Sequence, residues 1–352
     1  MTALVLLAGC AARSDQGLLT PVAEGDPAGK RVSVLVATTR LRGEDPHSLT
    51  NGRSHLVDFQ RVDLSIPRSH QLGNVETPSK GRVDPRRDFA ALRNESVSEK
   101  GFLALAGQAA SRGNGEVNIY VHGFNTTYEA AVLRLGQIIV DAGTTGTAIA
   151  FSWPSRGRFV DYLTDRESAL FSRDRLEYLL RILARQKDVR TINILSHSMG
   201  AFLTMETLRQ AKLRGDGEFG GKLNAVVLAA PDIDLDVFRT QLEVIGRRKR
   251  PTILLVANDD RALNFARFLS GDVDRLGAVE IDSPEAQAEI RRLGLIVIDM
   301  TSVRSSDPDG HNKFSSNPAV IRYIGDLIDQ KNVPATTLKI NADGNIIASD
   351  SR

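Results

Sequence analysis

The sequence predicts an α/β protein built on a mostly parallel, doubly wound sheet flanked by helices on both faces. Three observations predict it. Short, continuously apolar runs recur from Val117 to Asp299, and strands buried on both faces read that way. A helical pattern follows nearly every run, and strand–helix repetition builds parallel sheets. The composition also fits: 352 residues, 41% hydrophobic and 25% charged, suffice for one large domain or two smaller ones.

The elements follow in order. Residues 31–39 are β-branched and apolar, a strand. A loop rich in Gly, Asp, Pro and Asn runs to Arg53, and Val57 to Ile66 alternates as a half-exposed strand. Pro67 to Glu99 reads as surface loop with short strand pieces, and Gly101 to Ser111 as helix. Strands are expected at 117–121, 147–153, 192–195, 224–230, 252–257 and 295–299. Helices are expected at 127–142, 156–185, 201–213, 234–245, 261–269 and 318–327. The tail from Lys331 reads either as a small hairpin around Asp343-Gly344 or as disordered chain. The expected division is residues 1–30 as signal and flexible tether, 31–330 as the folded domain, and 331–352 as the tail.

A net charge of +2 gives no basis for expecting nucleic-acid binding. The basic run Arg247 to Arg250 reads as a solvated helix end. The single cysteine, Cys10, excludes an intramolecular disulfide. It closes the apolar run Leu4 to Gly9, and Leu-Ala-Gly-Cys looks like a bacterial lipobox, although no Lys or Arg precedes the run. The expectation is a lipid on Cys10 holding the protein to the cell envelope; without it, the protein would be soluble in cytoplasm or periplasm.

The chemistry gathers at Ile192 to Leu203. An apolar run ends in Ser196-His197-Ser198-Met199-Gly200, and a helix follows at once. A nucleophile elbow needs this strand–turn–helix context, with small residues two places either side of the nucleophile. Ser196 stands where the first glycine is usual, and serine is small enough. Ser198 is the candidate nucleophile.

In doubly wound sheets, chemistry collects at the carboxyl ends of strands. After Val121 comes His122-Gly123-Phe124-Asn125. The amide N–H of Phe124 would join that of Met199 as an oxyanion hole, with His122, Gly123 and His197 shaping the site. After Ala257 come Asp259 and Asp260, either of which could orient a histidine. Asp260 is preferred because it begins the next helix, and one of the pair is expected to cap that helix. Asp232, after the preceding strand, is the alternative acid. His311 is the only histidine after His197, so the chain order nucleophile, acid, histidine makes it the base.

With these residues placed, the chain resembles the α/β-hydrolase superfamily. Several stretches resemble a bacterial family catalogued as a domain of unknown function, DUF900. They are Thr38-Thr39-Arg40, Val121 to Asn125, Phe151-Ser152-Trp153-Pro154-Ser155, Ser196 to Gly200, Ala230 to Asp234, Asp260 to Leu263 and Gly310-His311. The resemblance covers roughly 31–327 and implies the α/β-hydrolase fold and a serine esterase-like mechanism. It does not imply a substrate. The expected activity is cleavage of carboxylic esters through an acyl-enzyme on Ser198, acting on a small-molecule or envelope acyl ester. A thioesterase, amidase or acyltransferase would use the same triad. The contrasting reading is a non-catalytic envelope scaffold with a hydrolase fold. No metal-ligand cluster or phosphate-binding glycine motif is visible, so no metal and no organic cofactor are expected. The acyl pocket is expected between residues 156–174 and the loops near Phe124 and Trp153, lined by Tyr128, Tyr162 and Phe171.

Overall fold

The computed structural model describes residues 17–44, 48–79, 81–269, 274–279, 281–305, 307, 309–328, 337–341 and 346–348. Cys10 and the turn at 343–344 lie outside the described residues. The strands are β1 (Lys30–Arg42), β2 (Leu49–Ile66), β3 (Ala90–Val97), β4 (Glu116–Val121), β5 (Thr147–Ser152), β6 (Thr191–His197), β7 (Leu223–Ala229), β8 (Thr252–Val256), β9 (Leu295–Asp299), β10 (Thr337–Ile340) and β11 (Ile346–Ala348). The helices are α1 (Glu99–Arg112), α2 (Tyr128–Ala142), α3 (Tyr162–Ala184), α4 (Met199–Leu213), α5 (Leu235–Ile245), α6 (Arg261–Leu269), α7 (Pro284–Leu293), α8 (Lys313–Ser316) and α9 (Pro318–Ile328).

These strands form one sheet in the order β11-β10-β9-β8-β7-β6-β4-β5-β1-β2-β3. Neighbours from β10 through to β1 are parallel, and only β1–β2, β2–β3 and β10–β11 are antiparallel. Alternate residues of each strand feed opposite layers. Ile194, Val226 and Leu228 join the core under α1, α3, α4 and α5, while Leu195, Val227 and Ala229 join the core under α2 and α9. Both faces are dry, which is why the strands read as continuous apolar runs. The chain passes from β4 to β5 on one side, then returns to β6 on the other. That reversal opens a crevice at the carboxyl ends of β4 and β6.

Side-chain caps start the helices as their sequences imply. Thr127 accepts from the N–H of Ala130 ahead of α2, and Ser98 accepts from that of Gly101 ahead of α1. A left-handed glycine, Gly143, closes α2.

Several expectations change. β1 and β2 are longer than expected. Arg40 pairs with Arg53 and Arg42 with Leu49, so much of the supposed loop is an extended hairpin projecting beyond the site end of the sheet. β3 is a full strand with Phe89 buried at its start, where mainly surface loop was expected. Residues 17–29 are packed, so they belong to the folded part rather than to a tether. Leu19 is 2% exposed, the Val22 N–H donates to the Ala91 carbonyl, and Asp26 accepts from the Arg68 N–H. Arg248 is buried against Glu218 and the carbonyls of Leu223 and Asn224, so part of the basic run straps β7 rather than meeting solvent. The last two strands pair as a hairpin, and β10 adds it to the edge of the main sheet. Helix α7 was not expected although Ser283, Pro284 and Gly294 mark its ends, and α8 is a single turn.

A buried asparagine row also escaped the apolar reading. Asn193 donates to Asn118, and Asn224 to Asn193, across β4, β6 and β7. It lies where the β6–β7 register shifts, so side-chain amides bridge a local break in the ladder.

Candidate active site

Ser198 sits at the β6–α4 junction with φ 52° and ψ −121°, a region that side chains other than glycine rarely occupy. Four described non-glycine residues have positive φ. Three of them, Asn125, Ser198 and Ala230, follow β4, β6 and β7 around the crevice. Backbone strain is therefore concentrated at the carboxyl end of the sheet. The turn is held by the Ser198 N–H donating to the Ala229 carbonyl, and by the Ser198 carbonyl accepting from Ala201 and Asp232. Ser196 and Gly200 give the turn its room. A Cβ on Gly200 would stand 2.3 Å from the His122 carbonyl oxygen, so only glycine lets α4 begin against the end of β4.

The loop after β4 lies directly over the elbow. A Cβ on Gly123 would come within 2.8 Å of His197 Nδ1 and 3.0 Å of Ser198 Cβ. Met199 opens α4, and amides of a first helical turn have no partner within their helix. Phe124 follows the glycine that approaches Ser198, and Met199 adjoins Ser198 in the chain.

His122 shapes that loop. Its ring stacks on Trp153 at 4.9 Å, and its nitrogens face the carbonyls of Gly123 and Trp153 at 2.8 and 3.1 Å. Trp153 Nε1 donates back to the His122 carbonyl at 2.8 Å. Burial, aided by the charge of Arg40, pushes the His122 pKa down to about 3, so the ring is neutral and takes no part in proton transfer near neutral pH.

Asp260 and His311 come from separate loops. Asp260, wholly buried after β8, uses its two oxygens differently. Oδ1 accepts from the Leu263 N–H at 3.0 Å and caps α6, while Oδ2 meets His311 Nδ1 at 2.7 Å. One residue does both jobs that had been divided between the two aspartates. Nδ1 faces a carboxylate and so carries the proton, leaving Nε2 unprotonated in the neutral ring. Burial disfavours the His311 cation, but the charge and hydrogen bond of Asp260, with smaller contributions from Asp232 and Asp307, outweigh it and raise the pKa above its ordinary value.

His197 joins the two halves. Its ring packs 4.5 Å from that of His311 and 4.6 Å from that of Phe314, and its Nε2 lies 3.3 Å from the His311 carbonyl. Burial, reinforced by the neighbouring His311, holds the His197 pKa well below the usual value, so it stays neutral.

The alternative acids are otherwise engaged. Asp259 is paired to Lys313 Nζ at 2.7 Å through both oxygens. Asp232 accepts from the Tyr162 hydroxyl at 2.7 Å and lies 3.4 Å from Arg275 Nε. Its role is to bracket the elbow through its backbone and to add negative potential near His311.

The expected pocket lining is only partly right. Tyr162 is at the site, edge-on to Phe124 at 5.3 Å. Tyr128 is core, its hydroxyl bonded to Gln60 beneath α2. Phe171 packs on His55 under the β1–β2 hairpin. Sequence reasoning also gave Arg40 no role. It is fully buried and donates to Ser152 Oγ, Asn51 Oδ1, the Ser155 carbonyl and the Thr126 carbonyl at 2.8–3.0 Å. Burial pulls its pKa down to about 10, with Glu129 and Asp165 opposing, so it remains a cation at neutral pH. It ties β1 and β5 to the loop that carries Phe124. The only signal for it was its place in Thr38-Thr39-Arg40.

Residues 104–330 match the family model described as an α/β hydrolase of unknown function, DUF900. The chain belongs to this family. That match covers more than half of the chain, and its description fits the mostly parallel sheet with flanking helices. The chain is also 36% identical over 62 residues to an uncharacterized protein of Nostoc sp., covering 18% of this chain and 16% of that protein. Structural likeness extends to an esterase of Pyrobaculum calidifontis, at TM-score 0.36 and 11% identity over 87% of this chain and 86% of that one. A second likeness, to a fungal esterase of Rhizomucor miehei, has TM-score 0.36 and 10% identity over 86% and 85%. At these scores neither esterase bears on substrate or mechanism. Among the described residues, no cluster of His, Cys, Asp and Glu fits a metal ion, and no helix is long and apolar enough to cross a membrane.

Proposed function

We propose that this α/β hydrolase is a serine hydrolase that cleaves carboxylic esters. The observation that carries the reading is the 2.7 Å bond from Asp260 to His311. It orients an imidazole whose ring packs on His197, the residue before the strained Ser198. In the proposed reaction, Ser198 Oγ attacks the acyl carbon and His311 Nε2 takes its proton. Asp260 stabilises the imidazolium. The N–H groups of Phe124 and Met199 receive the oxyanion, each contributing about 3 kcal/mol to lowering the barrier. His311 then protonates the leaving alcohol. Water attacks the acyl-enzyme, with His311 again as base, and regenerates Ser198.

The test is intact-mass spectrometry after treatment with a fluorophosphonate, which reports an activated serine whatever the natural ester. A single adduct that disappears in Ser198→Ala supports the reading. Folded wild-type protein that takes no adduct overturns it in favour of a scaffold. Because His311 must be neutral to act, kcat/KM for a short ester should rise with pH through a midpoint above 6.5, the ordinary imidazole value.

We further propose that Cys10 carries a lipid and holds the enzyme to the cell envelope, on the strength of Leu7-Ala8-Gly9-Cys10. Wild-type protein should sediment with membranes and Cys10→Ser should not. Soluble wild-type protein would refute the anchor.

A further inference from the structure

Asp260 and His311 lie 51 residues apart, each on a loop, and something must hold those loops in register. Lys313 is 3% exposed. Its ammonium meets both oxygens of Asp259 at 2.7 Å, the Thr301 carbonyl at 2.8 Å and the Met300 carbonyl at 3.2 Å. Its three N–H donors are thus engaged by the residue before Asp260 and by the chain leaving β9. Beside it, the Arg261 N–H donates to the Asp309 carbonyl at 3.0 Å. Gly310, at φ 71°, lies over the lysine stem, where a Cβ would stand 3.4 Å from Lys313 Cε.

We propose that buried Lys313 and the half-exposed Asp259 form a clamp that positions the acid against the histidine. The clamp joins the position before Asp260 to the position two after His311, so it ties together the two loops that carry the Asp260–His311 bond. Both are positioning residues; neither touches the reacting atoms. This inference rests on the serine-hydrolase reading, because the pair it aligns is the acid and base of that mechanism. It also gives the adjacent aspartates distinct work: Asp260 bonds the imidazole, and Asp259 holds the loop that presents Asp260.

The experiment compares full-length wild type, Lys313→Met and Lys313→Arg. Three readouts are taken: the thermal midpoint, the rate of fluorophosphonate labelling, and the downfield proton resonance of the hydrogen bond at His311 Nδ1. Lys313→Met should label at least tenfold more slowly than wild type and lose or broaden the downfield signal at a temperature where it is fully folded. Lys313→Arg should recover much of the rate. The proposal is overturned if folded Lys313→Met labels within twofold of wild type with its downfield signal intact. If Lys313→Met does not fold, Asp259→Asn takes its place. Its side chain is half exposed and keeps one oxygen for the lysine, so a severalfold slower rate supports the clamp and an unchanged rate overturns it. If wild type takes no label, the hydrolase reading fails by itself. The resonance still judges the clamp: its loss in the variant supports the clamp, and its survival overturns it.

Discussion

Replacing Asp260 by Asn separates the two tasks that this residue performs. Asn caps helices as well as Asp does, so its oxygen can keep the Leu263 N–H and α6 should survive. The amide nitrogen then faces His311 Nδ1, where the carboxylate had been. A donor there requires Nδ1 to accept, which drives the imidazole proton to Nε2, the atom that must receive the serine proton. Stability should fall by only about 1–2 kcal/mol, the loss of one charge-assisted hydrogen bond. Activity should fall by about 10³–10⁴-fold, or about 4–5.5 kcal/mol on the barrier, as expected when a triad histidine is held in the wrong tautomer. The assay is initial hydrolysis of a short p-nitrophenyl ester across pH, beside fluorophosphonate labelling and urea unfolding. Asp259→Asn, measured alongside, should remain far more active. An Asp260→Asn protein within tenfold of wild type, or equal losses in the two variants, would refute the assignment.

Three further outcomes follow from particular contacts. Ser198→Gly should abolish labelling yet raise stability by about 1 kcal/mol in urea unfolding, because glycine accepts φ 52° without strain; unchanged or lower stability would show that the turn stores none. Gly123→Ala should lower kcat by about a hundredfold with a smaller change in KM, because its Cβ would drive the Phe124 loop away from Ser198; an unaltered kcat would remove that loop from the mechanism. In the loop after β2, His70 lies between Glu76 and Asp141 at 2.7 and 2.8 Å. Burial opposes its charge, yet the two carboxylates raise its pKa overall. A raised folded-state pKa adds stability that is complete below the unfolded value of 6.5 and is lost as pH rises through the folded value. The urea midpoint should therefore fall on going from pH 6 into the alkaline range, and His70→Gln should flatten that fall; an equal slope in the variant would clear His70 of the effect.

Much of this was legible along the chain. β6, the small-residue turn and α4 are contiguous, so the elbow is a local pattern of an apolar run, a tight turn and a helical period. The parallel sheet was legible for a related reason. Strands covered on both faces must be apolar at consecutive positions, and the short runs Ala225 to Ala230 and Ile253 to Ala257, each followed by a helical pattern, read that way. The hairpin of β1 and β2 was harder. Arg40, Arg42 and Arg53 make a polar edge that looks like loop until Arg40 is seen buried among carbonyl oxygens.

The sequence by itself determined the alternation of strands and helices from β4 to β9, the tight turn at Ser198, and, by elimination, which histidine could follow it. Only the tertiary structure decided which aspartate reaches that histidine. Asp259 and Asp260 are adjacent and chemically alike, and the only local ground for preferring Asp260 was its place at the start of the next helix. They differ because β8 ends with one carboxylate facing the His311 loop and the other facing a buried lysine that arrives from 54 residues away. The same holds for Arg40, Tyr162 and Lys313, whose partners are distant in the chain. A charged side chain reads as surface until folding surrounds it with the carbonyls and carboxylates that allow it to be buried.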